Sequence, residues 1–242
     1  MKSLIQPSIV LLWILLSSSA IADDSKAVGA TAQGQPFGLL TEIPPEKQIE
    51  LAMSAAPAEI AAKATVLVLG PNGYVQARTG SNGFTCLVER QYFNTVEPSC
   101  YDAEGSATTL QARLYLEELR SAKVPEDEIE KRINERYKTG VFKAPQKPGF
   151  VYMLSAHAWV LNDRTNKIVN APPHLMFYAP YATQKDFGEF VGRHVPYVVL
   201  EGRPDAYLIV NPGPMASALQ KRSESDRPSA EGHVPGSRAA PK

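Results

Sequence analysis

The segment 171–190, APPHLMFYAPYATQKDFGEF, concentrates side chains able to contact a ligand: His174, Tyr178, Tyr181 and Asp186, interleaved with Met176, Phe177 and Phe187. Pro172, Pro173 and Pro180 stiffen it. An ordinary loop is polar, so one that is aromatic and proline-braced must either bury its rings or present them. Aromatic rings give contact area at low entropy cost, and hydroxyls and imidazole nitrogens add polar handles. The functional reading is a pocket wall with His174 and Tyr178 as its polar contacts. The structural reading is a loop packed over a sheet edge as part of the core.

A second cluster surrounds the two cysteines, in Cys86-Leu-Val-Glu-Arg and Cys100-Tyr-Asp-Ala-Glu-Gly. If Cys86 and Cys100 are bridged, Glu89 and Asp102 could lie close, as a paired-carboxylate site needs. Arg90 could instead bond Asp102 or Glu104 as a structural ion pair. The cysteines lack the spacing of a zinc ribbon, a redox CxxC or a haem attachment site. The four histidines, His157, His174, His194 and His233, have no local metal-ligand spacing either. No metal and no cofactor is implied. The chain has no G-x-S-x-G elbow, S-x-x-K pair, H-E-x-x-H helix, P-loop or G-x-G-x-x-G turn. The commonest serine hydrolases, zinc peptidases and nucleotide enzymes lose support accordingly.

Several elements must position these groups. Glu46 to Ala56 reads as a short helix, with Ile49 and Met53 one turn apart and Pro45 suited to its first turn. Thr65-Val-Leu-Val-Leu69 is a buried-strand run, and Asn72-Gly73 after it signals a hairpin. Tyr74–Thr79 and Phe84–Arg90 then suggest a three-stranded antiparallel meander. Residues 106–122 form a helix with Ala112, Tyr115, Leu116 and Leu119 on one face. Pro125 opens another, with acids in its first turn and Ile129, Ile133 and Tyr137 as its stripe. Their charged surface reads as a solvated face. Phe150–Leu154, His157–Leu161, Ile168-Val169, Val195–Leu200 and Ala206–Val210 are further strands. The expected fold class is α+β: a predominantly antiparallel sheet of about 6–8 strands with an inserted two-helix hairpin.

The ends belong to other classes of sequence. Residues 1–22 have the layout of a secretory signal peptide: Lys2, the apolar run Ile9–Leu16, and Ala20-Ile-Ala22 as the cleavage pattern. The run is too short for a membrane span, which takes about 20 residues. Residues 23–45 read as a flexible lead-in, 46–212 as a single domain and 213–242 as a disordered tail. Export to an oxidising compartment makes a Cys86–Cys100 disulfide the expectation.

Composition narrows the function classes. The 242 residues are 44% hydrophobic, which fits a globular chain. Lys+Arg and Asp+Glu both number 25, so nothing favours a nucleic-acid partner. The expectation is a periplasmic or secreted bacterial protein that binds a small molecule or an envelope protein. An exported hydrolase-like enzyme using a His/Tyr/carboxylate site around 171–190 is the alternative.

Overall fold

The structure is a computed structural model that describes residues 37–162, 165–188 and 196–210. The expected signal peptide, the first part of the lead-in, the tail, His194 and His233 lie outside the described residues.

The β-branched run opens the sheet as β1 (Thr65–Gly70), which turns through Pro71-Asn72 into β2 (Gly73–Arg78). Pro71 presets its own φ, so only Gly73 of the Asn-Gly pair adopts a positive φ, of 108°. The expected antiparallel meander does not form. Instead β3 (Thr85–Glu89) pairs with β1, in parallel, with Thr65 opposite Thr85 and Val66 opposite Cys86. β2 is therefore an edge strand. The cause lies in the connector, which crosses the start of β1 before β3 begins. Ser81 N–H donates to Lys63 O at 2.7 Å, and Thr65 N–H donates to Phe84 O at 2.8 Å. Gly80 makes the crossing possible: a Cβ there would lie 2.1 Å from the Thr65 nitrogen.

β4 (Glu97–Tyr101) runs antiparallel to β3, with Cys86 and Cys100 directly opposite and their Cα atoms 3.9 Å apart. The two are joined by the expected disulfide. Two helices, α1 (Pro45–Met53) and α2 (Ala58–Ala61), precede the sheet. Three more come after β4: α3 (Ala103–Ala107), α4 (Thr109–Ser121) and α5 (Glu126–Lys138). The helix expected over 106–122 is divided at Thr108, which leaves helical geometry at φ −124° and ψ −92°. Gly140, at φ 75°, turns the chain away after α5.

The remaining strands are β5 (Phe150–Met153), β6 (Trp159–Asn162), β7 (Lys167–Asn170), β8 (His174–Tyr178), β9 (Tyr197–Val199) and β10 (Tyr207–Val210). Eight strands form one sheet in the order β2-β1-β3-β4-β5-β8-β10-β9, and β6-β7 is a separate hairpin. Every pairing in the large sheet except β1/β3 is antiparallel. The chain is thus α+β, with the helix pair α4–α5 inserted between β4 and β5.

The proline-braced segment is corrected here. Its first half is no loop: His174–Tyr178 is an interior strand between β5 and β10. Pro172 and Pro173 stop just short of it and Pro180 lies just beyond, so none removes a ladder donor. The prolines bracket a strand and do not brace a loop.

The sheet buries both faces. One lies under a 3-10 turn (Leu40–Glu42), α1 and α2, with Leu40, Leu51, Val66, Cys86, Val88 and Cys100 in the core. Leu40 is fully buried, so the packed chain begins earlier than the lead-in reading of 23–45 allowed. Side chains of this size stabilise by about 1.5–3 kcal/mol each when removed from water. The opposite face carries Leu87, Tyr101, Val151, Met153 and Tyr207 beneath α4. Ala112, Leu119, Ile129, Ile133 and Phe142 then weld α4 to α5.

The crossing at Gly80 gives a direct test. Gly80→Ala places a methyl group against immovable backbone, and we expect destabilisation of about 3 kcal/mol. Urea unfolding of the two proteins measures it, and an unchanged midpoint would refute the tight crossing.

Candidate functional site

The two apolar stripes of α4 and α5 face each other, which leaves a second α4 stripe turned toward the sheet. It holds Thr109, Arg113, Glu117 and Arg120, at helical spacings of four, four and three. Between this stripe, the adjoining face of α5 and the sheet lies a cavity of about 700 Å³, within the range of small-molecule sites. Met153, Met176, Val199 and Ile209 give it an apolar floor. Methionines suit such a floor because they adapt to irregular shapes.

One end is closed by a charged clamp. Glu117 is buried, and its Oε2 accepts from Arg90 Nε at 3.0 Å and from Arg90 Nη2 at 2.8 Å. Its Oε1 accepts from Arg120 Nη1 at 2.8 Å. Arg120 also donates to Glu126 at 2.8 Å and to the Arg90 and Gln91 carbonyls at 3.2 and 3.1 Å. Both oxygens of Glu117 are therefore satisfied.

The groups at the middle of the cavity are not. Glu89 and Glu97 face each other across β3/β4 as register partners. Glu89 Oε1 accepts from the Tyr101 hydroxyl at 2.8 Å, and its Oε2 lies 3.8 Å from Arg113 Nε. Glu97 accepts from Gln91 N–H at 2.9 Å. Burial holds its carboxyl above the usual carboxylate range, against the pull of that hydrogen bond and of the nearby Thr95 hydroxyl, and the charge of Glu89 adds to the rise. The Tyr207 ring is 1% exposed. Its hydroxyl lies near those of Thr109 and Tyr101 without meeting either in hydrogen-bond geometry. Burial raises the Tyr101 and Tyr207 phenols above their ordinary value, so both are neutral donors at physiological pH.

The residues singled out by sequence lie elsewhere. His174 and Tyr178 occupy the two ends of β8, about 13 Å apart at strand spacing. His174 is buried with Nδ1 2.8 Å from Pro172 O, and burial lowers its pKa from the usual 6.5. The Tyr178 hydroxyl donates to Asp102 Oδ1 at 2.9 Å. Asp102 itself caps α3 through Gly105 N–H and accepts Phe150 N–H at 2.9 Å. Tyr178 is thereby a buckle joining β8, β5 and the start of α3. Tyr181 is 62% exposed in the left-handed region at φ 63°. Asp186 caps a 3-10 turn by accepting from Thr183 N–H at 2.7 Å, which holds its carboxyl below the usual range. The four are not brought together around one space.

The chain matches no protein-family model, no curated protein and no solved structure. The site must therefore be judged on its own geometry.

In the disulfide neighbourhood neither expected pairing forms. Register sets Glu89 opposite Glu97, while Asp102 follows Tyr101 at the far end of the hairpin. Arg90 pairs with Glu117, 27 residues away, and with neither Asp102 nor Glu104. Sequence reasoning did not single out Arg113, Glu117 or Tyr207 at all. The one signal was a charged stripe on α4 distinct from its apolar one. Among the described residues, no three His, Cys, Asp or Glu side chains cluster to hold a metal ion.

Glu97 supplies a pH test. Its folded pKa is raised from 4.5, so the native state binds the proton more tightly than the unfolded chain. Its contribution is most favourable below about pH 4.5 and declines as pH rises through the folded value. Glu97→Gln keeps the acceptor for Gln91 and removes the ionisation. We expect it to melt higher than the parent near neutral pH, with the gap closing in acid. Calorimetric melts across pH would contradict this if the gap were constant.

Proposed function

We propose that the chain is an exported ligand-binding module whose ligand occupies the cavity between α4 and the sheet. One observation carries the reading: a cavity of about 700 Å³ sets Arg113, Glu89 and Glu97 around an apolar floor of Met153, Met176 and Val199. The remaining design agrees with binding. The floor is apolar, charged side chains of both signs line the walls, and the clamp around Glu117 fixes one of them.

Export is supported by the Cys86–Cys100 disulfide, a feature of oxidising compartments. No helix of the described residues is long and apolar enough to cross a membrane. The compartment we favour is the periplasm or the exterior of a bacterium, reached after cleavage behind Ala22.

A hydrolase-like site built on His174 gains no support from its placement. The imidazole is engaged by a backbone carbonyl and does not line the cavity. The cavity lining has no lysine, histidine or cysteine, so a His-dependent nucleophile is not assembled there.

Thermal-shift measurements of the purified chain against a panel of amino acids, amines, organic acids and sugars test the proposal. A ligand that binds the native state raises its melting temperature by mass action. At least one class should do so, and Met176→Trp, which fills the floor, should abolish the shift while leaving a cooperative melt. Absence of any shift across the panel would overturn the reading.

A further inference from the structure

The polar centre of the cavity sets charges of opposite sign side by side. Arg113 makes no hydrogen bond among the described residues, and its one opposite charge within 4 Å is Glu89, at 3.8 Å. Its side chain is 31% exposed, so its N–H donors face the cavity and water rather than protein acceptors. These donors ask for the oxygens of a carboxylate. Across from them, Glu97 has no cationic partner within 4 Å among the described residues, and Gln91 N–H is its one donor in good geometry. Glu89, its register partner, shares its charge between Tyr101 and the distant Arg113. Two carboxylates facing each other with so little compensation ask for a cation.

The other charges lining the cavity do not share this shortage. Glu117 and Glu126 are held by Arg90 and Arg120. Glu130 lies 4.0 Å from Arg203, and Asp127 lies 3.6 Å from Lys131. Glu97, Glu89 and Arg113 are the lining charges left least paired. A simple anion would answer Arg113 but meet the two glutamates, and a simple amine would answer the glutamates but leave the guanidinium open.

Resting on the proposed cavity function, the geometry points to a small zwitterion with an apolar group as the ligand, of which a free apolar amino acid is the simplest. Its ammonium sits between Glu89 and Glu97, its carboxylate takes Arg113, and its side chain lies on Met153, Met176 and Val199. Nothing in the arrangement requires bond making or breaking.

The test is a matched series titrated calorimetrically into the purified chain: phenylalanine, phenethylamine and 3-phenylpropanoate. Leucine, isoamylamine and 4-methylpentanoate repeat it with a smaller side chain. In at least one series the amino acid should bind about tenfold or more tightly than either analogue, because each analogue forfeits one charge-assisted hydrogen bond. Arg113→Gln should reduce the amino acid to the level of the amine, and Glu97→Gln to the level of the acid. An amine or an acid that matches its amino acid in both series overturns the zwitterion assignment, and so does failure of all six compounds. The unmodified protein alone decides these outcomes, so they do not depend on the variants folding. The cavity reading survives such a failure if another class in the wider panel binds and Met176→Trp abolishes that binding. It falls only if nothing binds.

Discussion

The Glu117 carboxylate, gripped by Arg90 from the sheet and Arg120 from its own helix, is the interaction on which the site depends. It fixes α4 at one end, next to the corner at Arg90-Gln91 after β3. Taking these charges out of water costs several kcal/mol per ion, which good geometry largely offsets. The net gain in stability is therefore small compared with that of an apolar substitute. The network's contribution is position. Apolar side chains would draw α4 onto the sheet and close the gap, whereas guanidinium groups hold it at arm's length. The cavity exists because the helix is anchored by long polar side chains at one end and by Leu110 in the core at the other.

The opposite face of the sheet is built differently. There α1 presses small and branched residues directly onto the strands, and the buried Gln48 is fully used. Its Nε2 donates to Ile43 O at 2.9 Å, and its Oε1 accepts Leu69 N–H at 2.7 Å. Cys86 and Cys100 lie on this face as well, so the covalent link braces β3 and β4 from behind. Glu89 and Glu97 at the far end of the same strand pair are held in register by that brace. The pairing that opposes two carboxylates is thus secured on the side away from the cavity.

Much of the fold was legible because hydrophobic periodicity reports burial locally. Phe84, Cys86 and Val88 alternate as a strand must, and Ile129, Ile133 and Tyr137 recur as a helix stripe must. Pairing was less legible, since order within a sheet depends on where connectors travel. The six residues after Arg78 look like a hairpin turn, yet they pass across the start of β1, and nothing in their composition distinguishes the two courses. The 174–178 strand was hidden by its flanking prolines, which break pairing inside a strand but not beside one. The site was least legible of all. Arg113, Glu117 and Arg120 follow the spacing of an ordinary solvated helix face, and Glu117 is told apart only by Arg90, far away in sequence. Tyr207 sits in an apolar run that reads as core, which it is, apart from one oxygen.

That oxygen can be weighed against the other buried polar groups of the chain. Gln48, Ser99, Glu117 and the Tyr178 hydroxyl are each supplied with partners, some by backbone and some by side chains drawn from distant elements. Tyr178 is the nearest comparison. It lies in the strand next to Tyr207, and the two residues are register partners. The space for its hydroxyl is made by Gly105, where a Cβ would lie 1.8 Å from that oxygen. The chain thus gives up a side chain to satisfy one tyrosine and leaves its neighbour open. Tyr207 shares this state with Thr109, Tyr137 and Trp159 among the described residues. The two tyrosines differ in their surroundings: Tyr178 points at Asp102 and a strand end, and Tyr207 points into the packed core beside the Thr109 and Tyr101 hydroxyls. A buried hydroxyl is completed when a neighbour moves into hydrogen-bond geometry, and those two hydroxyls are the groups placed to do so.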